Sequence, residues 1–217
     1  MNAPFIRNHQ YNFIKSQANA VLYTHRTVSD PKVVESVRLG ALAKVSVLFP
    51  DIADQRKILL ESIADLKTSE GVQQYFQALE PYLIPFPAVT EAQLRKLFPK
   101  NKKLKLPDLA LFDFRYVSYL GWDDPGTNKK FIVYPRHGQL VGIEGRYTAT
   151  NKKSFCFVCN RFEELTLYTA VTKKRPANAS PDYYNSVGNY LCMNSRECNG
   201  NLTDVTALER FLDSVLG

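Results

Sequence analysis

Phe155-Cys156-Phe157-Val158-Cys159 and Cys192-Met193-Asn194-Ser195-Arg196-Glu197-Cys198 hold all four cysteines of a chain of 217 residues. Two close pairs, C-x2-C and C-x5-C, separated by a middle stretch, form the ligand pattern of a four-thiolate zinc site. Zinc has no geometric preference from its d electrons, so it accepts the tetrahedron that two short turns offer. Thiolates suit it because they are soft and deprotonate on binding. Two disulfides or four buried free thiols are the alternatives. Scattered thiols would not gather in one region at these spacings, and the surrounding sequence does not read as secreted. Cys156, Cys159, Cys192 and Cys198 are therefore expected to hold one structural zinc ion.

Around the cysteines the sequence reads as a zinc module. Leu165, Leu167, Tyr168, Ala170 and Val171 suggest one strand, and Gly188-Asn189-Tyr190-Leu191 another that ends at Cys192. After Cys198, Asn201 to Asp204 offer capping residues. Val205, Leu208, Phe211, Leu212 and Val215 then line one face of a C-terminal helix. A turn, a hairpin and a second cysteine pair leading into a helix are the parts of a treble-clef finger. With every ligand a protein thiolate, the metal keeps no open position for water or substrate.

Working back from there, Tyr116, Val117, Tyr119 and Leu120, then Phe131 to Tyr134, then Leu140, Val141, Ile143 and Tyr147 suggest strands of an antiparallel sheet. Gly121 to Gly126 and Pro135 to Gly138 read as the turns between them. Thr90-Glu91-Ala92-Gln93 matches a capping box that opens a short helix. Lys100, Lys102, Lys103 and Lys105 form a basic run, either a solvated loop or a phosphate or acidic-surface contact. Pro81, Pro85 and Pro87 mark a boundary, since proline removes donors and turns the preceding residue away from helix. Residues 84–217 are thus expected to form one α/β domain with a C-terminal zinc finger.

Residues 1–83 read as a bundle of four helices. Phe13, Ile14, Ala18, Val21 and Leu22 mark the first, and Asp30-Pro31 starts the second, which Val33, Val34, Val37, Ala41, Leu42 and Val45 continue. Ile58, Leu59, Ile63 and Leu66 mark the third; the fourth opens near Thr68 with Val72, Tyr75, Phe76 and Leu79. The expected class is α+β: a helical bundle, then a mixed antiparallel-sheet domain ending in the finger.

Chemistry elsewhere is sparse. There is no glycine-rich phosphate loop and no Gly-x-Ser-x-Gly elbow; no carboxylate or cysteine lies at ligand spacing from His9 or His25 in the sequence, and the sequence implies no nucleophile at His137. An enzyme is not expected. The N-terminus lacks the basic start and apolar run of a signal peptide, and no stretch is apolar for the ~18 residues of a membrane span, so a cytoplasmic, monomeric protein is the reading. The net charge of +7 lies almost wholly in residues 84–217. Such a surface suits an acidic protein face or a nucleic-acid backbone. Lys152, Lys153, Arg161 and Arg196 could also offset the charge of a tetrathiolate metal site.

The segments Phe155-Cys156-Phe157-Val158-Cys159, Gly188-Asn189-Tyr190-Leu191-Cys192, Ser195-Arg196-Glu197-Cys198-Asn199 and Asn201-Leu202-Thr203 together resemble the FusB/FusC family. The helical front and the total length agree with that resemblance. It implies a fusidic-acid-resistance protein that binds elongation factor G and promotes its release from the ribosome, with the metal on the same four cysteines. A rigid platform would then present Tyr183, Tyr184, Phe211 and the basic Lys173-Lys174-Arg175, since aromatic residues and arginine commonly anchor interfaces. The alternative is an RNA- or ribosome-binding zinc protein without a resistance role.

Overall fold

The computed structural model describes residues 3–52, 54–173, 178, 180 and 184–217. The chain divides into two compact units, Met1–Ile84 and Pro85–Gly217.

The first unit is helical: α1 (Asn8–Thr27), α2 (Pro31–Val47), α3 (Asp54–Glu61) and α4 (Ser69–Leu79). Asp30 caps α2 by accepting from the Lys32 amide at 2.9 Å, with Pro31 where no donor is needed. Thr68 caps α4 through the Gly71 amide. Ile14, Ala18 and Val21 of α1 and Ala41 and Val45 of α2 are buried, as their helical spacing requires. Ile58, expected inward, is instead exposed. The physical reason at Ile58 is a change of pitch. Helix α3 passes into a 3-10 turn at Ser62–Asp65, whose three-residue period stacks Leu60, Ile63 and Leu66 on the inner side.

The second unit is built on a five-stranded antiparallel meander in the order β1-β2-β3-β4-β5. The strands are β1 (Leu120–Asp124), β2 (Lys129–Arg136), β3 (Gln139–Phe155), β4 (Phe162–Val171) and β5 (Ser186–Cys192). Three helices accompany it: α5 (Glu91–Leu97), α6 (Ser195–Asn201) and α7 (Thr206–Leu216). Both faces of β2 are buried, which is why Phe131 to Tyr134 read as a continuous apolar run rather than an alternation. Phe131 and Val133 pack with Phe86, Leu94, Phe98 and Trp122 on one side. Ile132 and Tyr134 pack with the cysteines and with Leu208, Phe211 and Leu212 of α7 on the other. The capping box of α5 forms, with Thr90 and Gln93 each accepting from the other's amide.

Three sequence expectations change here. Gly121 to Asp124 belong to β1 and not to a turn; the Trp122 ring stacks on Phe131, which pulls the segment into the sheet. Tyr116 lies in a 3-10 turn, Phe114–Tyr116, started by the Asp113 side chain on the Arg115 amide. Pro135 and Arg136 extend β2, and the reversal is confined to His137 and Gly138, both at positive φ. Two such residues in succession give the turn whose twist matches the strands. Among the described residues no helix is long and apolar enough to cross a membrane.

Candidate metal centre and partner surface

The first cysteine pair sits in the turn between β3 and β4. Phe155 and Phe162 are the last cross-strand partners, and the Cys156 amide donates to the Arg161 carbonyl at 2.9 Å. The Asn160 amide returns to the Cys156 carbonyl, and Asn160 takes φ 52°, a left-handed conformation that asparagine tolerates. This tight turn points both thiols the same way. The second pair starts where β5 ends. Met193 donates its amide to Glu164, and Asn194 caps α6 through the Arg196 and Glu197 amides. Cys198 therefore lies in the first turn of α6, facing back across the strand ends.

The four sulphurs meet in one buried cluster, all within 4.8 Å of one another. Cys156 and Cys198 are 3.9 Å apart, and Cys159 and Cys192 3.5 Å apart. Neither distance is a disulfide, which is about 2.05 Å. A tetrahedron with zinc–sulphur bonds of about 2.3 Å has edges of about 3.8 Å, so the set fits that ion. Cys156 Sγ also accepts from the amides of Val158 at 3.4 Å and Cys192 at 3.3 Å. Hydrogen bonds from Cys159, Cys192 and Cys198 drive the Cys156 thiol far below its ordinary range. The same sharing pushes Cys192 and Cys198 up, Cys156 being the first cause in each. Thiols so placed ionise together only around a cation that takes up their charge.

A buried cation braced against the segment between Cys192 and Cys198 is one that sequence reading missed. Lys130 is 1% exposed, and its ammonium donates to Asp123 Oδ1 at 2.7 Å, the Met193 carbonyl at 3.1 Å and Ser195 Oγ at 3.3 Å. Three donors meet three acceptors, two of them between Cys192 and Cys198. Of the offsetting charges expected from sequence, Arg196 turns away to the Leu111 carbonyl, and Lys152, Lys153 and Arg161 are exposed. The signal for Lys130 lies in pairing, which places it opposite Asp123 in the sheet. A lysine in a strand does not announce its register. Asn199 is a second missed residue: its side chain binds the Ser118 and Tyr119 amides and the Tyr119 and Ser195 carbonyls.

The residues expected to meet a partner separate into three groups. Lys174, Arg175 and Tyr183 lie outside the described residues. Lys173 and Tyr184 come together on an open cavity of about 920 Å³. The lining also includes Lys100, Lys129, Arg146 and Glu144, from the turn after α5 and from β2 and β3. Lys129 is paired with Glu144 at 2.9 Å, and Asn101 bonds both side chains. Phe211 is the correction. It is only 6% exposed, and its ring packs 5.1 Å from Phe157 and 5.9 Å from Tyr168. It holds α7 against the sheet from beneath and is not displayed, because the apolar face of α7 is spent on the core.

Fold and site define a protein of two units, a helical one followed by an α+β one that ends in a treble-clef finger with four cysteines. Residues 5–87 match the family model "Elongation factor G-binding protein, N-terminal". Residues 96–210, more than half of the chain, match "FBP C-terminal treble-clef zinc-finger". The chain belongs to this family of elongation factor G-binding proteins, that of FusB and FusC. Its fold is similar to that of the fusidic acid resistance protein FusC, with a TM-score of 0.81 and 29% identity over 97% of each chain. No curated protein matched by sequence.

Proposed function

We propose that this chain is a non-catalytic binding protein for elongation factor G that promotes the factor's release from the ribosome and so protects translation from fusidic acid. The observation that carries the reading is the likeness to FusC along the whole chain, with the two family models falling in order on its two units. One structural zinc ion on Cys156, Cys159, Cys192 and Cys198 locks β3, β4, β5 and α6 together. With four thiolates as ligands the metal has no free position, so its contribution is folding energy and not reaction chemistry.

The partner surface is the cavity that Lys173 and Tyr184 line. Lys100, Arg146 and Lys173 give it a positive rim suited to steering an acidic protein face, and exposed Tyr184 supplies an aromatic anchor. The protein acts as a monomer in the cytoplasm, where the ribosomes are. The test is the rate at which labelled elongation factor G leaves ribosomes on which fusidic acid has trapped it. Faster departure with the purified protein, and recovery of chemically unchanged drug, is the expected result. An unchanged rate would remove the release mechanism, and altered drug would point to an enzyme.

The same cations favour a second reading, contact with ribosomal RNA. That reading requires RNA affinity that falls steeply with salt.

A further inference from the structure

The cavity of about 920 Å³ in the second unit is concave and of the size at which small ligands are held, whereas steering a protein face needs only its exposed rim. Its charge is one-sided. Glu144 is the one acidic residue among the described lining residues, and it is committed to Lys129 at 2.9 Å. Lys100, Arg146 and Lys173 line the same hollow and have no carboxylate partner among the described residues. Arg146 is moreover the cross-strand partner of Lys129. Like charges directly opposite each other in a sheet are destabilising, and Glu144 with Asn101 relieves only the lysine. The chain thus keeps an uncompensated guanidinium in the wall of a cavity.

We propose that this cavity binds a nucleoside polyphosphate, with the phosphates on Arg146, Lys100 and Lys173 and the base on Tyr184. A guanidinium and two ammoniums form charge-assisted hydrogen bonds to phosphate oxygens. Lys129 adds a further donor: an ammonium has three, and the two described go to Asn101 Oδ1 at 2.8 Å and Glu144 Oε1 at 2.9 Å. A hydroxyl continues the set. Thr169 is the partner of Arg146 on β4, so Lys129, Arg146 and Thr169 form one row across three strands, on one face of the sheet. Tyr184 stands on the same cavity and is 76% exposed. An aromatic face left open to water is what a flat base stacks on. Leu97 and Phe98 supply an apolar wall. They seat directly on β3 because Gly142 has no side chain: a Cβ there would fall 2.7 Å from Phe98 Cζ and 3.1 Å from Leu97 Cβ. Phosphate donors, an aromatic plate and an apolar wall surround one hollow, and an acidic side chain would use only the first of these.

The test titrates the full zinc-loaded chain with ATP, inorganic tripolyphosphate and adenosine in a calorimeter at physiological salt. No elongation factor G is present, so the outcome is independent of whether that factor binds. ATP is expected to saturate one site per chain at micromolar concentration, with tripolyphosphate about ten-fold weaker and adenosine giving no heat. Arg146→Gln and Lys173→Gln should each weaken ATP about ten-fold. Tyr184→Ala should bring ATP down to the level of tripolyphosphate and leave tripolyphosphate itself unchanged. Lys152→Gln, which removes an exposed cation outside the cavity, should change nothing. No saturable binding of ATP would overturn the proposal, as would an equal loss in Lys152→Gln, the mark of general charge attraction. Tripolyphosphate as tight as ATP would overturn it too, leaving a phosphate patch without a seat for the nucleoside. A measurement on the wild type is independent of any folding defect in the variants. Nuclear Overhauser contacts between the adenine protons of ATP and the Tyr184 ring are expected, and their absence would also overturn the proposal.

Discussion

Lys130 Nζ lies 2.7 Å from Asp123 Oδ1, with the lysine side chain 1% exposed and the aspartate 29% exposed. The pair crosses from β2 to β1, and the lysine's other two donors reach the Met193 carbonyl and Ser195 Oγ between the second pair of cysteines. Removing one partner of such a pair leaves an uncompensated buried charge, which costs about 3–5 kcal/mol. Asp123→Ala is accordingly expected to lower the unfolding free energy by about that much in urea titrations. The double change Asp123→Ala with Lys130→Met, which removes the stranded charge, should recover most of the loss.

Cys192→Ser leaves three thiolates where the tetrahedron needs four. Because binding energy at such a site is folding energy, the variant should hold zinc at well below one ion per chain. The cooperative melting of the C-terminal unit should be lost with it. Chelation of the wild-type protein should give the same result. Metal analysis beside a thermal unfolding curve is the check.

Phe211→Ala opens a cavity between α7, Phe157 and Tyr168. The expected loss is about 3–5 kcal/mol, as for other large aromatic truncations in cores. If the ring acts only from beneath, the fraction of Phe211→Ala that remains folded should bind elongation factor G with the wild-type constant. Calorimetry on material shown to be folded by circular dichroism separates the two effects.

Much of both units was legible where their chemistry is local. Two cysteine pairs at short spacing announce a metal tetrahedron and Thr90 and Gln93 a helix start in the second unit, and Asp30-Pro31 announces a helix start in the first. What sequence could not show depends on partners distant along the chain. Trp122 draws Gly121 to Asp124 into the sheet only because Phe131 is there to stack on. Lys130 becomes a buried brace only through its register with Asp123 and the return of Met193 and Ser195. Phe211 carries both signals, an aromatic anchor and a core position at helical spacing, and packing decides for the core. Ile58 was misread because the helical period was carried through a stretch where the chain tightens to three residues per turn.

The positive rim of the cavity gives a further expectation. Lys173→Glu and Arg146→Glu should each slow association with elongation factor G and flatten its salt dependence, because rim charges act chiefly on encounter. Tyr184→Ala should weaken the equilibrium constant by about ten-fold, roughly 1.4 kcal/mol, mainly through faster dissociation. Stopped-flow kinetics at two salt concentrations distinguishes these effects.

Direct titration of purified elongation factor G with the zinc-loaded full chain, away from the ribosome and at physiological salt, bears most closely on the whole reading. A saturable one-to-one complex at micromolar concentration or tighter, lost when a chelator removes the metal, is the predicted result. No heat and no co-elution at micromolar concentration, alongside tight and salt-sensitive binding to ribosomal RNA, would contradict it.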